Sequence, residues 1–140
     1  MERETDPKKP GIGKTVLVVD DNAAIRKMLA TAFLSEGFKT CSEAENGKEA
    51  IDVAKQDKPD LIVLDLSMPL MNGLQSAPEL RKLLPQTPII LFTLYAENLS
   101  QTEAFKSGIN LVLEKAMPPS TLIEKAHQLM AEWTSRSYIS

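Results

Sequence analysis

A single cysteine, Cys41, leaves no partner for an internal disulfide, so the fold cannot rest on covalent staples. It is read as a small filler of the core or of an edge strand. The one histidine, His127, has no second histidine or cysteine cluster to join as a metal ligand. It is expected to be a surface or half-buried helix residue. No apolar run approaches the ~20 residues of a membrane span. The N-terminal stretch MERETDPKKPGIGK lacks the apolar centre of a signal peptide. The cytoplasm is the expected location. Strong charge is missing too: the formal net charge is −3 and the isoelectric point about 5.2. That balance gives no electrostatic reason to expect direct binding of nucleic acid or of an anionic membrane. The sequence has no internal repeat and no low-complexity tract. A phosphate-binding loop is also absent. GIGKT ends on Gly13-Lys14-Thr15, but Lys8 stands where the motif needs another glycine.

What remains is ordinary globular composition, with 43% hydrophobic and 25% charged residues. A chain of 140 residues is about one domain. It can bury roughly two-thirds of its unfolded surface. Residues 1–13, with mixed charges, two prolines and two glycines, read as a flexible tail. Five apolar or β-branched runs then alternate with helical patterns. The strands are Thr15–Val19, a weaker Phe38–Ala44, Leu61–Leu64, Pro88–Phe92 and Leu111–Leu113. The first helix runs from Asn22 to about Glu36, stopped by Gly37. Asn46 caps a helix over Glu49–Gln56. Asn72-Gly73 opens a helix to about Leu84, and Pro78 within it predicts a kink or a late start. A short helix spans Asn98 to Lys106. A last one begins at Pro118-Pro119 and ends near Trp133, which packs its end. Residues 135–140 read as a C-terminal tail.

Strict alternation predicts an α/β fold: a doubly wound parallel sheet covered by helices on both faces. Ligands of such sheets sit beyond the carboxyl ends of the strands. Five polar residues fall there. Asp20 and Asp21 follow VLVV, Asp65 follows LIVL, Thr93 follows IILF and Lys115 follows LVLE. Three crowded carboxylates repel, which calls for a divalent cation or a raised pKa. Hard oxygen ligands suit Mg²⁺. A lysine opposite supplies a point charge for a phosphoryl group, and a threonine hydroxyl can donate to its oxygens. One carboxylate can then attack phosphorus.

Four motifs in order, LVVDDN, LIVLDLSMPLMNG, IILFT and LVLEK, give the chain its family likeness. It resembles the receiver domain of two-component response regulators, over about Lys14 to Ala131. The resemblance implies a flavodoxin-like receiver fold over residues 14–134, with strand order 2-1-3-4-5 and five helices. It implies a switch module rather than an enzyme acting on other substrates. Asp65 would be the phosphoacceptor. Asp21 would bind Mg²⁺ directly and Asp20 mostly through water, with Asp65 and the backbone carbonyl of Ser67 completing the ligands. Thr93 would be the switch hydroxyl and Lys115 the phosphate-binding lysine. Met68-Pro69 and Gly73 would shape the rim. The donor would be a histidine kinase or histidine phosphotransfer protein, docking on Ile25 and Met28. An unidentified output partner would meet the face of the fourth helix, fifth strand and fifth helix; homodimerisation is left open.

The chain also departs from the family pattern. Ala116 replaces the proline that often follows the lysine. Val112 stands where an aromatic switch residue is common, so a tyrosine-type readout cannot operate there. Leu94 is bulkier than the usual residue, and Tyr95 is placed to shield an acyl phosphate. The signal is therefore expected to leave through Thr93, Leu94, Tyr95 and Leu99. Two rivals fit less well. A haloacid-dehalogenase-type phosphohydrolase needs Asp-x-Asp, but Asn22 and Ser67 occupy the second positions. A phosphorylation-independent binding module would not need the complete set of five.

Overall fold

The computed structural model describes residues 9–94, 96 and 99–139, with residues 134–139 through their backbone only. Three aliphatic strands with little polar interruption form the middle of the sheet, β1 (Thr15–Val19), β3 (Leu61–Leu64) and β4 (Ile89–Thr93), and the aliphatic β5 (Leu111–Glu114) forms one edge. The more polar β2 (Thr40–Ala44) takes the other. All neighbours are parallel, in the order β2-β1-β3-β4-β5. The predicted fold class and strand order both hold.

Side chains alternate across each strand, so the sheet feeds two cores. Val16, Val18, Val63 and Phe92 pack beneath α1 (Ala23–Ser35) and α5 (Pro119–Ile139). Leu17, Val19, Leu64 and Leu91 pack beneath α2 (Gly47–Asp57) and α3 (Gly73–Leu83). The short α4 (Gln101–Lys106) adds Ala104 to this second core. Asn22 and Asn46 cap α1 and α2 as N-cap residues, each accepting a backbone N–H with its side chain.

Several expectations change. Helix α3 starts at Gly73, not late, because Asn72 and Gln75 form a reciprocal capping box that nucleates it. Pro78 lies within it on the exposed side, where water can satisfy the carbonyl it leaves without a partner. Helix α4 starts at Gln101 with Ser100 as its cap, and Asn98 lies outside the described residues. Helix α5 runs on to Ile139, through most of the expected tail, since TSRSYI holds neither glycine nor proline to stop it. Residues 9–13 are not loose. Gly11 N–H donates to His127 Nδ1 at 3.1 Å and Gly13 N–H to the Gly37 carbonyl at 2.9 Å. A Cβ at Gly11 would overlap the Phe38 ring, so only glycine lets the segment lie this close. His127 itself is buried rather than at the surface, with its ring against Phe38.

Candidate functional site

Register decides what meets at the carboxyl edge. Val19 pairs with Ala44 on one side and Leu64 on the other. The ladder continues one residue further: Asp20 N–H donates to the Ala44 carbonyl at 3.0 Å and Asp65 N–H to the Val19 carbonyl at 2.9 Å. Asp20 and Asp65 are thus neighbours on rigid backbone, and both are buried, at 2% and 5% exposure. Asp21, one step along, is exposed. The three carboxylates can bring ligand oxygens within 4.8 Å of one another. Lys115 N–H donates to the Thr93 carbonyl at 2.9 Å, which carries the lysine to the same edge. Its Nζ lies 2.6 Å from Asp20 Oδ2 and 3.3 Å from Asp65 Oδ1. The other oxygen of Asp20, Oδ1, accepts the Asn22 N–H at 2.9 Å. Gly73 closes the floor. Its N–H reaches the Leu66 carbonyl at 2.9 Å, and a Cβ there would overlap the Asp65 carbonyl oxygen.

The charges do not balance. Burial first, and the neighbouring Asp20 charge second, push the Asp65 carboxyl up to about 6. Lys115 and the Leu66 N–H act in the opposite direction. For Lys115, burial favours the neutral amine. The hydrogen bond to Asp20 and the charges of Asp65 and Asp20 outweigh it, and its pKa rises. One ammonium against three carboxylates leaves two negative charges in a pocket of hard oxygen donors. That donor set fits a divalent cation of the Mg²⁺ type.

Thr93 is fully buried at the end of β4, and Ser67 is exposed just past Asp65. Met68 packs against the second core. After Pro69, Leu70 takes a positive φ of 66° in a tight turn, with Met71 N–H bonded to the Pro69 carbonyl. Leu70 and Leu94 stand out at 79% and 64% exposure. Ile25 is half-buried against the first core, whereas Met28 is 47% exposed. Leu99 and Val112 are half-buried against the second core. Tyr95 lies outside the described residues. The Lys115–Ala116 bond is trans.

With this geometry in place, likeness to known proteins becomes informative. The family model for the response regulator receiver domain matches residues 16–127, more than half of the chain. The chain belongs to the response regulator receiver domain family. The chemotaxis protein CheY of Thermotoga maritima is 35% identical over 118 residues, covering 84% of this chain and 98% of that protein. The phosphate regulon regulator PhoB of Pseudomonas aeruginosa is 36% identical over 116 residues, 81% of this chain. The chain spans half or less of some relatives: 50% of PhoB and 28% of the Escherichia coli regulator AtoC. Among solved structures, CheY4 of Vibrio cholerae is 28% identical with a TM-score of 0.75, over 82% of this chain and 97% of that one. A receiver domain from Methanospirillum hungatei, at 24% identity, shares the fold with a TM-score of 0.80 over 88% of this chain and 98% of its own.

Receiver domains are signalling modules of two-component systems rather than classical enzymes, and their partners are kinases or phosphotransfer proteins. No helix among the described residues is long and apolar enough to cross a membrane. Sequence reasoning passed over two arginines of this receiver. Arg26 Nη1 donates to the Asp20 carbonyl at 2.7 Å and its Nε to Glu43 Oε1 at 3.1 Å. A cation in the first turns of a helix, against the dipole, was the available signal. Arg81 works at the opposite edge of the sheet. It donates to the Thr87 and Gly108 carbonyls and to Asn110 Oδ1, each at 2.7 Å. Its guanidinium lies over the Trp133 ring, whose Nε1 donates to the Gln86 carbonyl. No spacing in the sequence joins residues so far apart along the chain.

Proposed function

We propose that the chain accepts a phosphoryl group on Asp65 from the phosphohistidine of a sensor kinase or histidine phosphotransfer protein. The observation that carries this is the position of Asp65: buried beside two further carboxylates, with Lys115 Nζ 3.3 Å away. In the transfer an Asp65 oxygen attacks phosphorus, an O–P bond forms as the N–P bond breaks, and the donor imidazole leaves with the bond's electrons. Asp21, Asp65 and the Ser67 carbonyl would hold Mg²⁺, with Asp20 through water. Bound there, Mg²⁺ offsets charge on the transferring oxygens. Lys115 turns from Asp20 toward the new phosphoryl group, and the Thr93 hydroxyl donates to one of its oxygens. The only reactions the protein accelerates are its own phosphorylation and dephosphorylation, and it acts in the cytoplasm.

The added charge, roughly −1.5 to −2 by analogy with other phosphoryl groups, biases a pre-existing equilibrium. The response passes through Thr93, Leu94, Tyr95 and Leu99 to an output partner on the face of α4, β5 and α5. Ile25 and Met28 contribute to the donor's docking surface. The test is intact mass after treatment with a small acyl-phosphate donor. One phosphoryl unit should be added with Mg²⁺, none after chelation and none in Asp65→Asn. Labelling that persists in Asp65→Asn refutes the assignment.

A further inference from the structure

Arg26 is the fourth residue of α1, where the helix dipole disfavours a cation. Its side chain is nevertheless only 15% exposed and bonded through two of its guanidinium nitrogens, Nε and Nη1. One nitrogen reaches the Asp20 carbonyl, another Glu43, which stands on β2 opposite Val18 of β1. A planar fork can bridge two acceptors in this way, whereas an ammonium is a single point. The other polar atoms of Asp20 are taken up by Ala44, Asn22 and Lys115. Its carbonyl completes the set. That carbonyl shares a rigid peptide plane with the nitrogen of Asp21. Fixing it therefore fixes the plane from which the Asp21 side chain departs.

We infer that Arg26, anchored by Glu43, is a positioning residue for the acidic cluster, setting the Asp20–Asp21 backbone so that the Asp21 carboxylate meets the cation. This rests on reading the cluster as the Mg²⁺ site. Charge alone predicts the reverse: removing a cation near three carboxylates should tighten metal binding. Positioning predicts loosening, so the sign of the effect separates the two.

The test is calorimetric titration of the full chain with Mg²⁺, with Mn²⁺ followed by electron spin resonance as a second readout. Arg26→Gln should weaken binding by about 10- to 100-fold, the usual effect of losing a group that orients a metal ligand. Arg26→Lys should not rescue it. Glu43→Gln, which keeps the guanidinium but frees it, should weaken binding by a smaller factor. The double variant should bind no more weakly than Arg26→Gln, because the two act as one unit. Lys27→Gln, which removes the exposed second cation 3.6 Å from Glu43, should change affinity less than about twofold. Unchanged or tighter binding in Arg26→Gln with a lower melting temperature would mean that Arg26 only braces α1, and the inference falls. Should Arg26→Gln fail to fold, unchanged affinity in Glu43→Gln overturns it equally. Asp21→Ala tests the Mg²⁺ site itself, so lost binding there with unchanged binding in Arg26→Gln sinks the inference alone. If Asp21→Ala binds as well as the native chain, the metal lies elsewhere and both the inference and the Mg²⁺ reading fail.

Discussion

Lys115 lies closer to Asp20 than to Asp65, 2.6 Å against 3.3 Å from the nearest carboxylate oxygens. The ammonium is thus committed first to a residue held on every side. Asp65 receives the weaker share, and its burial, followed by the Asp20 charge, raises its carboxyl to about 6 against that partial relief. Removing the ammonium strands two buried carboxylates. We expect Lys115→Gln to lose about 3 kcal/mol of stability at pH 7.5 in chelator, the low end for breaking a buried pair. The deficit should shrink in saturating Mg²⁺. Urea unfolding with and without the metal measures both, and equal stability of variant and native protein in chelator would contradict it.

The raised Asp65 pKa also gives the metal-free protein a pH dependence of definite sign. Below pH ~4 the carboxyl is protonated folded and unfolded, and it contributes nothing. Between its ordinary value of 3.8 and about 6 the folded state keeps the proton while the unfolded chain has released it. Stability from this group therefore falls as pH rises through that window, by about 2–3 kcal/mol in all. Asp65→Asn should flatten that part of the profile and be the more stable protein at pH 7.5 in chelator. A profile of the same slope in the variant would place the dependence on another group.

Gly73 offers a steric test of the pocket floor. Its absent side chain lets the first turn of α3 close on the Asp65 carbonyl. Gly73→Ala should destabilise by about 1–3 kcal/mol, as overpacking does. It should also slow labelling by an acyl-phosphate donor more than an equally destabilising change remote from the site. Arg81→Gln, at the far edge, is the matched control. Equal labelling of the two variants would reduce Gly73 to a packing role.

The sheet was legible because its strands are short, aliphatic and bounded by turn residues, and because alternation allows few topologies. Asp20, Asp65 and Lys115 were legible for the same reason: each ends such a strand. Helix ends were less so. Pro78 argued for a late α3, but the Asn72–Gln75 box outweighed one missing donor. The polar PKKPGIGK looked like a tail, yet glycine at position 11 let its end lie on Phe38 and His127, a contact between residues 116 apart in the chain. The hold of Arg26 on Asp20 depends likewise on how α1 is set against β2, which no local pattern encodes.

On the proposed reading, the phosphoryl signal leaves the site through Thr93 rather than Val112. Thr93 is fully buried at the end of β4, joined to Lys115 through the backbone. Val112 is half-buried against the second core and has no hydroxyl or ring to follow a threonine inward. Moving an equilibrium from 1:99 to 99:1 needs about 5.5 kcal/mol of differential binding. Losing one hydrogen bond, about 0.5–1.5 kcal/mol, weakens such a shift without preventing phosphorylation. Thr93→Ala should therefore still gain one phosphoryl unit at Asp65. Amide exchange across α4, which slows or quickens in the native protein on adding beryllofluoride and Mg²⁺, should respond much less in this variant. Val112→Ala should keep the native response. If the response survives in Thr93→Ala and is lost in Val112→Ala, the signal leaves through β5 instead.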